Sequence, residues 1–433
     1  MFDIGFKNSK LVLMVKEFDA PEDSRVTKYS KEFRKIARGM FLSGLSCFMQ
    51  LYLFQPILPA IGREFSINPA ESSLTVSFST IGIAAGLFAG ALFADRISRK
   101  RLIGLALICS SILTVLSSFV TLFPMLILMN MLKGFFLSGS ASVAMTYIAE
   151  EIHPSALGKA TSLYITGNAI GGMSGRIAAT LITGWLSWRW ATGVVGTICF
   201  IFGALFVIEA PASKHFKPYR TNTIKHLKAM GMHLGNPLLL SMYILAGLYL
   251  GSFVSIYNYL AFRMQAAPFF LPHEILASIY LMYIVGSAGS MSAGVLTDKF
   301  SSQNALPAIV SLLLVGLLLM LTSNLVLVIL GLGIFTASFF GAHTTASKIV
   351  AQYSPKARPV SISLFLLFYY AGSSLLGTSS GVIMHNYGWA AFIFTLCAVS
   401  IVTLLISIFF RRWIEKPSPG VLVQESVPQE VQV

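Results

Sequence analysis

The sequence predicts an all-α polytopic membrane protein in which about twelve transmembrane helices form two six-helix bundles. Three observations lead to this fold class: the composition, the length of the apolar runs and an internal repeat. Of the 433 residues, 55% are hydrophobic and only 11% are charged, which is far from the balance of a soluble domain. Since a span needs about 20 apolar residues, a chain of this length holds roughly a dozen spans with short loops.

The apolar runs are too long and too continuous for barrel strands, so each is predicted to be a helical span. In the first half they cover residues near 40–62, 76–94, 102–121, 123–148, 160–184 and 191–210. In the second half they cover residues near 236–262, 274–296, 305–322, 324–347, 360–384 and 388–410. The predicted organisation is a cytoplasmic tail (1–39), an N-terminal bundle (40–210), a cytoplasmic connector (211–235), a C-terminal bundle (236–411) and a second cytoplasmic tail (412–433).

The net charge is +14, but the placement of the basic residues indicates membrane orientation and not nucleic-acid binding. With the N-terminus inside, nearly all Lys and Arg residues fall in the tails and the inner loops. The exceptions are Arg63, Arg189 and Arg263 in outer loops and Lys133 and Arg176 within spans. The positive-inside rule therefore places both termini in the cytoplasm.

An internal repeat relates the two halves of the chain. One constant shift aligns Pro154 with Pro355, Gly171 with Gly372, Trp188 with Trp389, and Ser162-Leu163-Tyr164 with Ser363-Leu364-Phe365. Aligned proline, glycine and tryptophan are harder to obtain by chance than aligned leucine, so the pattern indicates two parallel six-span halves. Such halves suit alternating access, in which they rock about a site near the membrane midplane.

The loop after the second span carries a recognisable motif. It reads Ala91-Leu92-Phe93-Ala94-Asp95-Arg96-Ile97-Ser98-Arg99-Lys100-Arg101 and is loosely repeated as Gly294-Val295-Leu296-Thr297-Asp298-Lys299. It resembles the signature loop of the major facilitator superfamily, with Ala91 and Ser98 in place of two glycines. This resemblance implies a cytoplasmic gate formed by Asp95, Arg96, Arg99, Lys100, Asp298 and Lys299. Positive-inside anchoring is the alternative, and it suffices for residues 99–101.

Other segments are similar to the YnfM-type bacterial inner-membrane transporters of the drug and metabolite efflux branch. They are Gln55-Pro56-Ile57-Leu58-Pro59, Glu150-Glu151-Ile152-His153-Pro154-Ser155, Gly167-Asn168, Ile170-Gly171-Gly172-Met173-Ser174-Gly175-Arg176 and His385-Asn386-Tyr387-Gly388-Trp389. Because they extend from the first span to the last, the resemblance covers nearly the whole chain. It implies a secondary transporter with the twelve-helix major facilitator fold in the inner membrane, and it does not identify the substrate.

Lys133 lies near the middle of the fourth span. A charge at a helix centre costs about 2.5–3.5 kcal/mol on translocon scales, so an intramembrane lysine is a candidate functional residue. Two interpretations remain open, namely substrate or proton coupling and a structural hydrogen-bond network. The family usually has arginine here, before a glycine that is present as Gly134, and lysine lacks the bidentate fork of arginine.

Arg176 follows a glycine-rich stretch in the outer half of the fifth span. It is a second candidate for substrate binding or coupling, and snorkelling of a long side chain to the outer interface is the alternative. The preceding glycines predict close helix approach or bending; they are Gly167, Gly171, Gly172 and Gly175. Asn168 stands where the efflux branch often has the proline of its antiporter motif.

Several polar or aromatic residues at membrane depth are further candidates for the site. They are Gln55, Tyr164, Asn258, His343 and Tyr369. Gln55 and Asn258 lie at similar depths in equivalent helices of the two halves, and the resemblance implies that helices 1, 4, 7 and 10 line the cavity. Each residue is either a ligand contact or an interhelical hydrogen-bonding group. His343 is a candidate proton relay, although a neutral hydrogen-bonded histidine is the commoner case.

The interiors of the predicted spans contain no Asp or Glu. A cation exporter normally needs an intramembrane carboxylate, so the sequence favours an anionic or uncharged polar solute. We therefore expect a secondary active transporter that works by alternating access, with efflux preferred from the resemblance. Import of an organic anion, such as a polycarboxylate or an iron chelate, is the first alternative, and a transporter-like sensor without turnover is the second.

The remaining expectations concern partners and excluded classes. The sequence contains no nucleophile arrangement, no zinc-type His–Glu spacing and no phosphate-binding loop, so neither an enzyme nor a nucleotide-driven pump is expected. No cofactor, metal or nucleic acid is expected. The expected partners are a small solute, a coupling proton and membrane lipid, and the chain is expected to be a monomer.

Overall fold

The computed structural model describes residues 25–93, 96–216, 218, 223–354 and 357–415. The first half contains the helices α1 (Lys31–Tyr52), α2 (Leu58–Phe65), α3 (Pro69–Phe93), α4 (Arg99–Ser117), α5 (Phe123–Glu151), α6 (Pro154–Trp185) and α7 (Trp188–Glu209). The connector contains α8 (Thr223–Leu234). The second half contains α9 (Pro237–Gln265), α10 (His273–Ile279), α11 (Met282–Phe300), α12 (Ser302–Leu319), α13 (Leu325–Gln352) and α14 (Arg358–Glu415).

Ten helical segments of the described ranges are long and apolar enough to cross a membrane. One of them, Arg358–Ile414, is divided by a kink at Gly388, whose φ of 80° lies in the region that favours glycine. The glycine-rich helix α6, which carries Arg176, is not among those ten, although its 32 residues are enough to cross a membrane. The all-α membrane fold predicted from the sequence is therefore confirmed, and the arrangement is consistent with twelve crossings.

Helix α1 begins at Lys31, earlier than the span predicted from about residue 40. The side chain of Ser30 caps it by accepting a hydrogen bond from the backbone N–H of Phe33 at 3.0 Å. The first turns are charged and continue the apolar helix beyond the hydrocarbon, so hydropathy alone does not reveal where the helix begins. At the other end, α1 gives way to a 3-10 turn at Gln55–Ile57 before α2.

Helices α1 and α6 pack with their backbones in direct contact. On α6 the glycines 167, 171 and 175 face the α1 backbone, where a Cβ atom would overlap with Phe41, Leu45 and Met49 respectively. The spacing of four residues on both helices places these contacts on one stripe. Gly172 differs, because the atoms nearest to a Cβ there belong to the side chains of Arg176 and Tyr283 and lie at least 3.4 Å away.

The two halves meet mainly toward one end of the bundle. We call this the outer end, following the predicted topology; it holds Phe65, Trp185 and Gln265, and the opposite end is the inner end. Helix α3 packs on α14, and α6 packs on α10 and α11.

Hydrogen bonds reinforce these contacts between the halves. They join Thr80 to Ser374 at 2.6 Å, Gln55 to Asn258 at 2.9 Å and Trp185 to Glu274 at 3.3 Å. At the inner end, the ion pairs Arg99–Glu150 and Lys348–Asp298 each stay within one half. Among the described residues, the bundle is therefore closed toward the outer end.

Candidate functional site

Arg176 is the most deeply placed arginine of the described residues, with its side chain fully buried on α6. Its Nε and Nη2 donate to Oε1 of Gln55 at 2.8 and 2.5 Å, and its Nη1 donates to the Gly172 carbonyl at 2.5 Å. The guanidinium therefore points across the bundle toward the 3-10 turn that follows α1 and does not snorkel to the outer interface. This geometry favours the first of the two interpretations of Arg176.

Three tyrosine rings surround the guanidinium. Its central carbon lies 4.5 Å from the ring centroids of Tyr52 and Tyr283 and 5.4 Å from that of Tyr257. Tyr52 belongs to the first half of the chain, and the other two belong to the second half. Arginine stacks well on aromatic faces because it is planar and weakly hydrated. Arg176 therefore lies between the two halves, in contact with both.

Gln55 connects this site to the second half through its amide. Its Nε2 donates to Oδ1 of Asn258 at 2.9 Å while its Oε1 accepts from Arg176. The side chain reaches this place because Pro56 removes a backbone N–H and interrupts the helix here. Two residues that the sequence placed at similar depth are thus in direct contact, and their role in transport stays a prediction.

The site has more hydrogen-bond donors than acceptors. A guanidinium carries five N–H donors, and Arg176 directs three of them to acceptors in the described structure. The Tyr283 hydroxyl, on a ring against the guanidinium, and the Tyr280 hydroxyl, on a ring 6.2 Å from that of Tyr257, make no hydrogen bond of acceptable geometry with the described residues. Unpaired buried donors are costly, and a carboxylate would satisfy them.

No acidic side chain offsets this positive charge among the described residues of the spans. The acidic residues nearest in sequence to the helices of the site lie at helix ends, as Glu64 and Glu274 do at the outer end. A buried arginine without a carboxylate partner is expensive in lipid. The arrangement can therefore bind an anion that supplies the missing negative charge.

Lys133 has a different environment, although it is equally buried. Its Nζ donates to the Gln50 carbonyl at 3.1 Å and to Oδ1 of Asn130 at 2.5 Å, and it lies 4.6 Å from the centroid of the Phe54 ring. Two acceptors and one aromatic face account for the three N–H bonds of an ammonium group. These partners all belong to the first half, so the geometry favours the structural-network interpretation of Lys133.

We predict that Lys133→Met changes stability far more than substrate selectivity. Methionine fills a similar volume but donates no hydrogen bond, so the Gln50 backbone carbonyl loses the ammonium donor and Oδ1 of Asn130 keeps only the Ser79 hydroxyl, at 3.2 Å. Loss of a donor costs about 1–3 kcal/mol for each buried group. The melting temperature of the purified protein and the relative uptake of a solute panel are the measurements. A selective loss of anion uptake at unchanged melting temperature would assign Lys133 to the substrate instead.

His343, Tyr369 and Tyr164 lie nearer the inner end. The imidazole Nδ1 of His343 is hydrogen-bonded to the Tyr249 hydroxyl at 3.0 Å, and its ring lies 4.8 Å from that of Tyr369. Both are half-buried. Tyr164 lies twelve residues before Arg176 on α6, a separation of about 18 Å along the axis at ~1.5 Å per residue. The structure therefore separates Tyr164 from the arginine site.

The predicted gate residues occupy the inner end of the bundle, apart from Asp95, which lies outside the described residues. Arg99 pairs with Glu150 at 3.2 Å, and the Lys100 backbone N–H donates to Ser213 Oγ at 3.1 Å. Asp298 pairs with Lys348 at 2.7 Å. Arg96 and Lys299 are exposed. Their gating role stays a prediction.

Sequence reasoning missed two of the aromatic side chains around Arg176, namely Tyr52 and Tyr283. Tyr283 is the second residue of α11, directly after the break that follows α10. Tyrosines at membrane depth beside such a break were the available signal.

Two comparisons of the sequence with known proteins agree on the family. The sequence pattern of the Major Facilitator Superfamily matches residues 40–344 and 272–430. An uncharacterised transporter of Buchnera aphidicola subsp. Schizaphis graminum is 35% identical over 386 residues, covering 89% of this chain and 93% of the relative. The inner membrane transport protein YnfM of Escherichia coli is 34% identical over 390 residues, covering 89% and 93%.

A comparison with solved structures identifies the same fold. A bacterial homologue of the human lysosomal transporter Spinster, in an inward-facing and occupied conformation, superposes with a TM-score of 0.72 at 16% identity and covers 90% of this chain and 100% of its own. A D-xylose–proton symporter superposes with a TM-score of 0.71 at 13% identity, covering 88% and 97%. At such identities the likeness concerns the fold alone.

Proposed function

The chain belongs to the Major Facilitator Superfamily, and on that premise we propose that it is a secondary active transporter of a small organic anion. Membrane transport of a solute follows from the family and from relatives that match most of the chain. The substrate class follows from one observation. Arg176 is a fully buried cation with unused N–H donors and no acidic partner among the described residues.

The proposed cycle uses the contact between the halves at Arg176. An anion entering from the inner side would bind the free N–H groups of Arg176 and the tyrosine hydroxyls beside it. Because Tyr257 and Tyr283 come from the second half, an anion bound here touches both halves and alters the balance between their two arrangements. Separation of the outer contacts, including Gln55–Asn258, would then expose the site to the other side.

A cross-link at the outer end tests this cycle. A Cβ atom on Gly184 would lie 2.6 Å from Cβ of His273 in the opposite half, so we predict that cysteines at these two positions form a disulfide under mild oxidation after a small shift. The bridge is expected to abolish transport, and a reducing agent is expected to restore it. Each single cysteine variant is the control. Full transport by the cross-linked protein would show that the outer end does not open.

Direction and topology complete the proposal. We propose efflux across an inner membrane by a monomer of two six-helix bundles, with both termini in the cytoplasm and a proton as the coupling ion. His343 is the candidate relay because its ring is half-buried beside Tyr369 and hydrogen-bonded to Tyr249. Reporter fusions at both termini test the orientation, and uptake under reversed pH gradients tests direction and coupling.

Solute uptake tests the substrate class. Proteoliposomes are assayed by counterflow with radiolabelled succinate, salicylate, glucose and tetraphenylphosphonium, beside protein-free liposomes. Uptake of an organic anion without uptake of the sugar or the cation is expected. Uptake of the cation or the sugar alone would contradict the proposal, and anion-dependent stabilisation without any flux would indicate the sensor alternative.

A further inference from the structure

We infer that the preferred substrate carries a single carboxylate on a planar aromatic body. This inference rests on the proposed function and narrows its substrate class. Three features carry it: the number of available cationic groups, the aromatic side chains on the inner side of Arg176, and the absence of a side chain at Gly172, one turn before Arg176 on α6.

The number of available cations limits the charge of the ligand. Lys133 directs its ammonium group to Gln50, Asn130 and Phe54, so of the two buried span cations only Arg176 keeps donors for a ligand. One guanidinium pairs with one carboxylate in a bidentate arrangement. Tyr280 and Tyr283 add neutral hydroxyls. A second or third carboxylate would lie in an apolar region without a counter-charge, so a polycarboxylate suits the site poorly.

A cluster of aromatic side chains extends from Arg176 toward the inner end. The ring of Tyr283 packs against the guanidinium of Arg176, and its centroid lies 5.6 Å from that of the Phe340 ring. The Phe340 centroid lies 5.3 Å from that of Phe339. One turn further along α13 is His343, beside Tyr369. Phe340, His343 and Tyr369 are half-buried. Aromatic rings pair preferentially by edge or offset stacking, so this wall suits a planar ring better than an aliphatic chain.

Tyr52 and Tyr283 cover Arg176 on its inner side, with exposed fractions of 5% and 6%. No described residue holds the Tyr283 hydroxyl in a hydrogen bond of acceptable geometry, so its ring can rotate away without losing one. A ligand ring in the position of Tyr283 would stack on the guanidinium of Arg176 and replace the contact that Tyr283 makes there.

Gly172 places no side chain between the ring of Tyr283 and the guanidinium of Arg176. A Cβ atom there would lie 3.4 Å from Nη1 of Arg176 and 3.5 Å from Cε1 of Tyr283, both ordinary contact distances. Alanine is therefore tolerated by the fold but occupies the slot between the two groups. Gly158 on the same helix has no neighbour within 4 Å of its Cβ position, and Gly158→Ala provides a matched control.

The test is binding to the purified protein in nanodiscs, measured by calorimetry with benzoate, cyclohexanecarboxylate, succinate and benzamide. Benzoate is expected to bind roughly tenfold more tightly than either aliphatic carboxylate, as one to two aromatic contacts would give. Benzamide, which lacks the charge, is expected not to compete. Gly172→Ala is expected to weaken benzoate about tenfold at unchanged melting temperature, and Gly158→Ala to leave it unchanged.

The outcomes separate the two proposals. Equal or tighter binding of cyclohexanecarboxylate or succinate, lost in Arg176→Gln, would overturn the aromatic preference and leave organic-anion transport standing. Equal affinity of benzoate for wild type and Gly172→Ala would remove the slot from the inference. Absence of binding by every carboxylate would overturn the aromatic inference, and uptake of a sugar or cation alone would overturn the proposed function as well.

Discussion

Arg176→Gln is expected to reduce organic-anion uptake at least about thirtyfold. Truncating one partner of a buried, hydrogen-bonded charge pair costs about 2–5 kcal/mol, and each 1.4 kcal/mol is about tenfold in affinity. Glutamine keeps polarity at the site but removes the charge and the bidentate fork. Initial uptake rates in proteoliposomes at matched protein density measure the effect. The uptake rate of Arg176→Lys is expected to lie between those of the wild type and Arg176→Gln, because lysine keeps the charge but not the bidentate fork.

The stability of the same variant distinguishes a substrate role from a structural one. Arg176 has no acidic partner among the described residues, so Arg176→Gln removes the cost of a buried charge while the glutamine amide keeps a donor at the site, whereas Lys133→Met leaves no donor behind. The melting temperature of ligand-free Arg176→Gln is therefore expected to equal or exceed that of the wild type. Arg38→Gln, which breaks an exposed pair with Glu209, is the surface control. A large loss of stability together with unaltered uptake by the folded fraction would make Arg176 a structural residue.

Gly171→Ala is expected to destabilise the protein strongly, whereas Gly172→Ala next to it is expected to leave stability unchanged. A Cβ atom at residue 171 would overlap with the backbone of Leu45 on α1, which cannot move aside as a flexible side chain would. Overpacking of a tight contact costs about 1–3 kcal/mol, and here the contact is between two backbones. The melting temperatures of the two variants in detergent measure this difference in stability, and the monodispersity of each purified variant is a second measurement.

The pair of adjacent glycines serves as its own control, since both substitutions add one methyl group to the same helix. Equal melting temperatures for the two variants would show that α1 and α6 tolerate separation, and the stripe formed by residues 167, 171 and 175 would then not determine their packing. Failure of Gly172→Ala to fold would show that its side of α6 is also closely packed, contrary to the contact distances there.

The fold was predictable from the sequence because its determinants are local or periodic. Long apolar runs indicate the spans, and Gly388, next to Trp389, lies at the kink between the last two spans. The glycine stripe of α6 predicted close helix approach, and the structure places three of its members against α1. The start of α1 at Lys31 was not visible, because its charged first turns extend the helix beyond the hydrocarbon.

The candidate site was only partly predictable. Depth identified Lys133 and Arg176 as unusual, but depth cannot show which buried cation has its donors occupied. That difference depends largely on contacts between residues far apart in the chain, Lys133 with the Gln50 carbonyl and Arg176 with Gln55. The tyrosine cover depends on how the second half rests on α6, and no pattern in a single sequence specifies that placement.

The most direct test of anion binding at Arg176 is a structure of the protein with 4-iodobenzoate, whose iodine marks the position of the ligand. Density for the carboxylate against the Nη atoms of Arg176, with the ring displacing Tyr283 on the inner side, is the expected result. Density beside Lys133 or elsewhere in the bundle, with Arg176 still covered by Tyr52 and Tyr283, would contradict it.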